Sequence, residues 1–216
     1  SPIGARITVP LAFWEELRER KIGAICENAG VRHFAKSRTN PYEGLLVDVF
    51  ADTILIDLEN RCLRRYSEGF WKNANHPLLE LLSLVYLLHA GPAIPTGKIV
   101  GPTELKEGHF FRGPHELPTE KIASRFGSDL ESFGKAAESL GGESVAMADA
   151  AFRINPFPKI PLYFLLWKGD DEFPARASIL FDSSIEQHVQ ADAAWGMASL
   201  TAKALVRKAV TGQDPF

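Results

Sequence analysis

Leu45-Leu46-Val47-Asp48-Val49-Phe50-Ala51-Asp52-Thr53-Ile54-Leu55-Ile56-Asp57-Leu58-Glu59 is the stretch that decides the fold. Leu45, Val47 and Val49 alternate with Leu46, Asp48 and Phe50, and then Ile54, Ile56 and Leu58 alternate with Leu55, Asp57 and Glu59. A period of two with β-branched residues is the pattern of strands with one face buried. Only Ala51-Asp52 breaks it, too short a link for a crossover, so the two runs are read as an antiparallel hairpin. Arg61–Tyr66 adds a candidate third strand. On the N-terminal side, Leu11 to Asn28 reads as one helix, with Trp14, Leu17, Ile22 and Ile25 on one face and Gly30 as its stop. On the C-terminal side, His76-Pro77 opens a helix that runs to about Ala90 and ends at Gly91-Pro92. Its leucines and valine cover nearly all sides, which predicts a helix buried at the centre of the fold.

Farther along, Gly91–Pro102 and Gly108–Pro118 are rich in turn formers and read as loops around a short helical piece near Thr103–Lys106. Ser128-Asp129-Leu130-Glu131 has the form of a capping box opening a helix whose stripe is Leu130, Phe133, Ala137 and Leu140 and whose end is Gly141-Gly142. Ile160–Trp167 is a nearly continuous apolar run, as expected for a strand covered on both faces. With Ala177–Phe181 beyond the turn Lys168–Pro174, it makes a second hairpin. Asp182-Ser183-Ser184 reads as a cap. A last helix spans about Asp192 to Val210, with Trp195, Ala198, Ala202, Leu205 and Val206 buried. Strands and helices come in blocks, so the class is α+β: an antiparallel sheet of two hairpins packed with a buried central helix and terminal helices. Residues 1–216 are read as one domain, with 1–100 and 101–216 as possible sub-lobes.

The formal net charge is −3, from 24 Lys and Arg against 27 Asp and Glu, which argues against a general nucleic-acid partner. The basic group Arg32, His33, Lys36 and Arg38 is either a solvated loop or an anion contact. Cys26 and Cys62 stand 36 residues apart without a CxxC, so no zinc or iron–sulfur site and no other metal is expected; Cys26, on an apolar helical pattern, reads as core. Reduced thiols suit a reducing compartment, and a cytoplasmic location is expected. The opening residues lack a basic region followed by an apolar run, and no apolar stretch approaches the roughly 20 residues of a membrane span, so neither a secretory signal nor a membrane partner is expected.

Nucleotide-loop, zinc-protease and serine-elbow signatures are absent, and none of the six histidines forms a helical i, i+4 pair. Two segments remain as candidate ligand-binding sites. The first is the loop with His109, Phe111, Arg112 and His115, beside Phe110 and Glu116; imidazole, guanidinium and carboxylate together suit an anion or a metal, and the alternative is a surface loop anchored by two phenylalanines. The second is the turn with Trp167, Asp170, Asp171 and Glu172, beside Phe173-Pro174. Its carboxylates suit a hard cation or a basic partner, and the alternative is turn chemistry alone. The two segments are expected to share one surface. His89, alone on the apolar helix, reads as a satisfied core histidine rather than an axial ligand.

Pro161-Leu162-Tyr163-Phe164-Leu165-Leu166-Trp167-Lys168-Gly169-Asp170-Asp171-Glu172-Phe173-Pro174, followed by Ile179-Leu180-Phe181-Asp182-Ser183-Ser184 and preceded by Arg125-Phe126-Gly127 and Leu140-Gly141-Gly142, resembles the prokaryotic family described as domain of unknown function 3786 over about residues 45 to 210. The resemblance implies cytosolic proteins, largely of anaerobes, some with a four-cysteine iron–sulfur module of the kind seen in corrinoid proteins. Two cysteines cannot supply four ligands, so that module is not carried over, and the resemblance transfers no catalytic residue.

The expectation is therefore a non-catalytic binding or accessory module. It would hold an anionic or tetrapyrrole-like cofactor, another small molecule, or a protein partner. One alternative is a small-molecule hydrolase or lyase pairing His109 or His115 with a carboxylate of the turn; another is a structural subunit. The sequence names no particular cofactor and no oligomeric state.

Overall fold

A computed structural model describes residues 7–216. The residues on which the absence of a secretory signal was read, 1–6, lie outside the described part. The chain opens with α1 (Leu11–Glu19) and α2 (Ile22–Ala29), then the strands β1 (Arg32–Phe34), β2 (Gly44–Val49), β3 (Asp52–Asp57), β4 (Cys62–Ser67) and β5 (Phe70–Asn73). α3 (Pro77–His89) follows, then β6 (Ile99–Val100), α4 (Thr119–Phe126), α5 (Leu130–Ser139), β7 (Glu143–Ser144), β8 (Ala150–Phe157), β9 (Ile160–Trp167), β10 (Arg176–Asp182) and α6 (Ala191–Thr211). The strands form two five-stranded sheets, β1-β2-β3-β4-β5 and β6-β10-β9-β8-β7, with every pairing antiparallel. The fold is α+β, as expected.

Both hairpins lie where the alternation put them, and each sits inside a larger sheet. Leu46 faces Leu55 and Val47 faces Ile54 across the first. Leu165 faces Ser178 and Phe164 faces Ile179 across the second. β9 is buried along all but its last residue. One of its faces joins the main core, and the other carries a small cluster of Ala151, Tyr163 and Leu165, with Trp167 packed against it. One continuous buried cluster runs from Trp14 on α1 to Leu205 on α6 and takes in residues of both sheets. The sheets also meet directly, where Phe50 N–H donates to the Asn155 carbonyl at 3.1 Å.

α3 is the central helix. Leu79, Leu82, Leu84, Leu87 and Leu88 are buried, and Pro77 starts it as expected. The His76 Nδ1, not anticipated as a cap, accepts from Leu79 N–H at 3.1 Å. Tyr86, fully buried, stacks on Phe157 with centroids 4.9 Å apart and donates its hydroxyl to the Ala29 carbonyl at 2.6 Å, which ties α3 to α2 and to the second sheet.

Several expectations need correction. Leu11–Asn28 is two helices, because Arg20 and Lys21 are extended. Trp14 and Leu17 are the buried residues of the first helix, and Ile25 and Ala29 those of the second. Cys26 is only half-buried, at the margin of the core, and both cysteines are free thiols. His89 is exposed, at the last residue of α3, and is not a core histidine. α5 is capped by Asp129, whose carboxylate accepts from Ser132 N–H at 2.9 Å, so Ser128 is not the cap. α4 and the strands β1, β5, β6, β7 and β8 were not anticipated; Pro156 interrupts the pattern of β8, α4 is short and polar, and β1, β6 and β7 are only two or three residues long. Asp182 does cap the next segment, a 3-10 helix over Ser183–Gln187, by accepting from Ser184 N–H.

Candidate functional site

The loop after β6 is held down from two sides. Gly108 lies so close to the Pro102 carbonyl that a β-carbon would sit 2.6 Å from it, so only glycine lets the loop fold back there. Phe111 is 8% exposed and reaches Phe181 of β10 with centroids 5.6 Å apart. It is therefore a core plug and is not free to meet a ligand. His109 and Arg112 point to solvent. His115 is different. Its ring stacks on Phe110 at 4.3 Å and stands edge-on to Trp195 at 5.7 Å, and Trp195 Nε1–H donates to the Glu116 carbonyl at 3.0 Å. Glu107 accepts from the Ala191 N–H at 3.0 Å, at the first turn of α6, where a carboxylate is favoured by the unpaired N–H groups and the helix dipole.

His115, Phe110 and Trp195 form the rim of a groove of about 490 Å³ whose walls are Pro10 and Phe13 at the start of α1, Leu78, Leu81 and Val85 on α3, and Asp192 on α6. Its depth depends on Gly196, which lets α6 approach Leu82 of α3. Leu78, Leu81 and Val85 are half-buried and lie on one side of α3, at i, i+3 and i+7. The helix that looked apolar all round thus has one more apolar stripe than the core covers. That size and lining match sites for small molecules, which are mostly apolar with a few polar groups.

The acidic turn behaves as turn chemistry. Asp170 Oδ1 accepts from Glu172 N–H at 2.9 Å and Phe173 N–H at 2.7 Å, while Asp171 and Glu172 are exposed. Trp167 is covered by the Arg176 guanidinium, 4.3 Å above its ring. The turn lies at the Arg176 end of β10, where Gly169 N–H reaches the Gly127 carbonyl; the Phe111 anchor lies at the Phe181 end, roughly 17 Å along the strand. The turn is thus set apart along β10 from the Phe111 anchor, and among the described residues no hydrogen bond or ion pair joins its carboxylates to His109 or His115. The two loops had only their composition in common; β10 separates them.

The basic cluster near residue 32 is a solvated, paired surface: Arg32 contacts Asp48 at 3.0 Å, His33 contacts Glu43, and Lys36 contacts Glu59 at 2.8 Å. Among the described residues, no three His, Cys, Asp or Glu side chains converge as metal ligands, and no helix is long and apolar enough to cross a membrane. The sequence reading found His115 but missed the groove. Trp195 had been assigned to the buried side of α6; its position one turn from Asp192 near the helix start was the available signal.

Fold and groove together define a two-sheet antiparallel α+β protein with a ligand-sized cleft between its helices. The chain belongs to the family described as "Domain of unknown function (DUF3786)", which matches residues 21–204. No curated protein and no solved structure matches it.

Proposed function

We propose that this protein is a non-catalytic binding module whose helical groove takes a small, largely apolar molecule with a planar ring. The observation that carries the reading is the groove itself: Leu78, Leu81 and Val85 form an apolar wall, facing the stacked rings of Phe110 and His115 and the edge of Trp195. A ring system burying about 200 Å² of apolar surface there would gain roughly 5 kcal/mol before the costs of association. His115 and Asp192 are the polar groups that would orient it. With Asp192 present and no Lys or Arg among the described residues of the lining, a planar apolar ligand suits the groove better than a strongly anionic one. The free, widely separated thiols suit a reducing compartment, which supports a cytoplasmic location, and the family resemblance supports a prokaryotic, anaerobic setting. The charge balance and the carboxylate-paired basic cluster support a partner other than nucleic acid.

The test uses N-phenyl-1-naphthylamine, a neutral fluorescent apolar ring probe, with the folded full chain. Saturable binding is expected, weakened roughly tenfold or more by Val85→Arg and by Trp195→Ala. Absence of saturable binding, or binding that neither substitution changes, overturns the reading and leaves a structural role as the better account.

A further inference from the structure

The first sheet spends only one face on the core. Leu45, Val47, Ile54, Ile56 and Leu63 point inward. The alternate residues make the opposite face, where Phe34, Tyr66 and Trp71 come together: Phe34 meets Trp71 edge-on at 5.7 Å and 63°, and Tyr66 meets it at 5.3 Å and 65°. Phe34 is on β1 and Trp71 on β5, the two edge strands, which on a flat sheet are four spacings or roughly 19 Å apart. The rings touch only because the sheet coils around this face, which makes it concave. The result is a trough of about 470 Å³ with Leu46 and Thr53 also in its lining.

Leu55, on the same face, is fully buried, so these rings cover it in part, but large aromatic surface left facing water opposes solubility unless something uses it. An edge-on contact covers one face of the ring it meets and leaves the opposite face, and Tyr66 is 57% exposed. The polar border decides what kind of molecule could lie there. Arg32 Nη2 holds Asp48 Oδ1 at 3.0 Å, and Thr53 donates its hydroxyl to the same oxygen at 2.7 Å. Arg65 and Asp52 belong to the other face: Arg65 is in register with the inward Ile54, and its guanidinium reaches Asp214 at 2.6 Å and the Phe216 carbonyl at 3.0 Å. The Arg32 guanidinium of the border is thus paired with a carboxylate, and the border offers both N–H donors and acceptor-only oxygens. A phosphate backbone would meet Asp48 as a like charge. A proline-rich peptide offers only carbonyl acceptors along its backbone, which that carboxylate cannot pair. Hydroxyl groups both donate and accept, so a neutral polyhydroxylated molecule satisfies such a border.

We propose that the concave outer face of the first sheet binds neutral carbohydrate, with Tyr66 and Trp71 taking the apolar faces of sugar rings and the Arg32–Asp48 pair taking hydroxyls. It is a site separate from the helical groove.

Isothermal titration calorimetry of the full chain with maltohexaose and with cellohexaose tests this, with polyuridine and decaproline as competing probes. At least one oligosaccharide binds, and Tyr66→Ala and Trp71→Ala each weaken it roughly tenfold or more, while Trp195→Ala leaves it unchanged. Should Trp71→Ala fail to fold, Tyr66→Ala and Asp48→Ala, both at exposed side chains, carry the same test. The proposal is overturned if neither oligosaccharide binds, if binding is indifferent to Tyr66 and Asp48, or if polyuridine or decaproline is the probe that these substitutions affect. It is overturned equally if sedimentation shows a dimer that Tyr66→Ala dissociates, for the face would then serve a second copy of the chain.

Discussion

Gly196 is where α6 crosses α3, and a β-carbon added there would lie 2.9 Å from Leu82 Cδ2 and 3.6 Å from Cδ1. Gly196→Ala therefore brings two opposing effects. Alanine in a helix interior gains about 1 kcal/mol over glycine, and forcing a methyl group against a buried leucine costs about 1–3 kcal/mol. The net in the native background is a loss of about 0–2 kcal/mol. Leu82 is 3% exposed, and Leu82→Ala should cost about 2–5 kcal/mol, toward the lower end because the space opens into the groove and does not stay sealed. With the leucine truncated, the clash is gone, so Gly196→Ala should become stabilising by about 1 kcal/mol. The cycle thus carries a coupling of about 1–3 kcal/mol, read from urea unfolding of the four proteins at constant slope. Additivity within about 0.5 kcal/mol would refute the claim that this glycine sets the approach of the two helices.

Asp182, 1% exposed, accepts from Thr96 N–H and hydroxyl, Gly97 N–H and Ser184 N–H; Asp182→Ala strands those donors and should destabilise by on the order of 3 kcal/mol, and an unfolding midpoint that barely moves would count against it. His188 is 1% exposed, its Nδ1 accepts from Gly91 N–H at 3.2 Å, and its Nε2 has no partner among the described residues. Burial, and then the charge of Lys159, push the His188 imidazole below its ordinary range. Its folded-state affinity for a proton is thus lower than its unfolded one, near 6.5, so its contribution is complete above about pH 6.5 and is lost as the pH falls through the folded value. His188→Gln should flatten the fall in stability between about pH 7 and 5, and an unchanged slope would show that other groups, such as the half-buried His76, carry it. Finally, protein purified without oxygen should contain no stoichiometric iron or zinc by elemental analysis, since Cys26 and Cys62 lie on separate elements; either metal at one equivalent would overturn that expectation.

The elements that sequence specified most firmly are those whose periodicity is backed by burial on one side. Leu45, Val47 and Val49 against Ile54 and Ile56 had no other arrangement that kept them all from water, and the hairpin followed. Proline at the start of α3 and glycine after α5 fixed ends by backbone geometry, which is local and therefore legible. α4 and β8 were lost for the opposite reason. Their local signals are weak, and they are held by what they pack against: Ile122 and Phe126 by the core, and Ala150 by its register with Leu166. The Arg20–Lys21 break is likewise a tertiary demand, since nothing in those two side chains forbids a helix.

At the level of sites, the sequence by itself determined which residues had unusual chemistry, and it named His115 among them. Which residues share a space was decided by tertiary structure alone. The loop His109–His115 and the turn Trp167–Glu172 look alike in composition, and β10 holds them at opposite ends because an extended strand moves the chain about 3.3 Å per residue. Trp195 and His115, 80 residues apart in the chain, meet at 5.7 Å because α6 folds back across α3. Phe34 and Trp71, on opposite edges of a sheet, meet because that sheet coils. Side-chain chemistry is written residue by residue, but proximity is the sum of every backbone angle in between, and only the packing of the whole core fixes that sum.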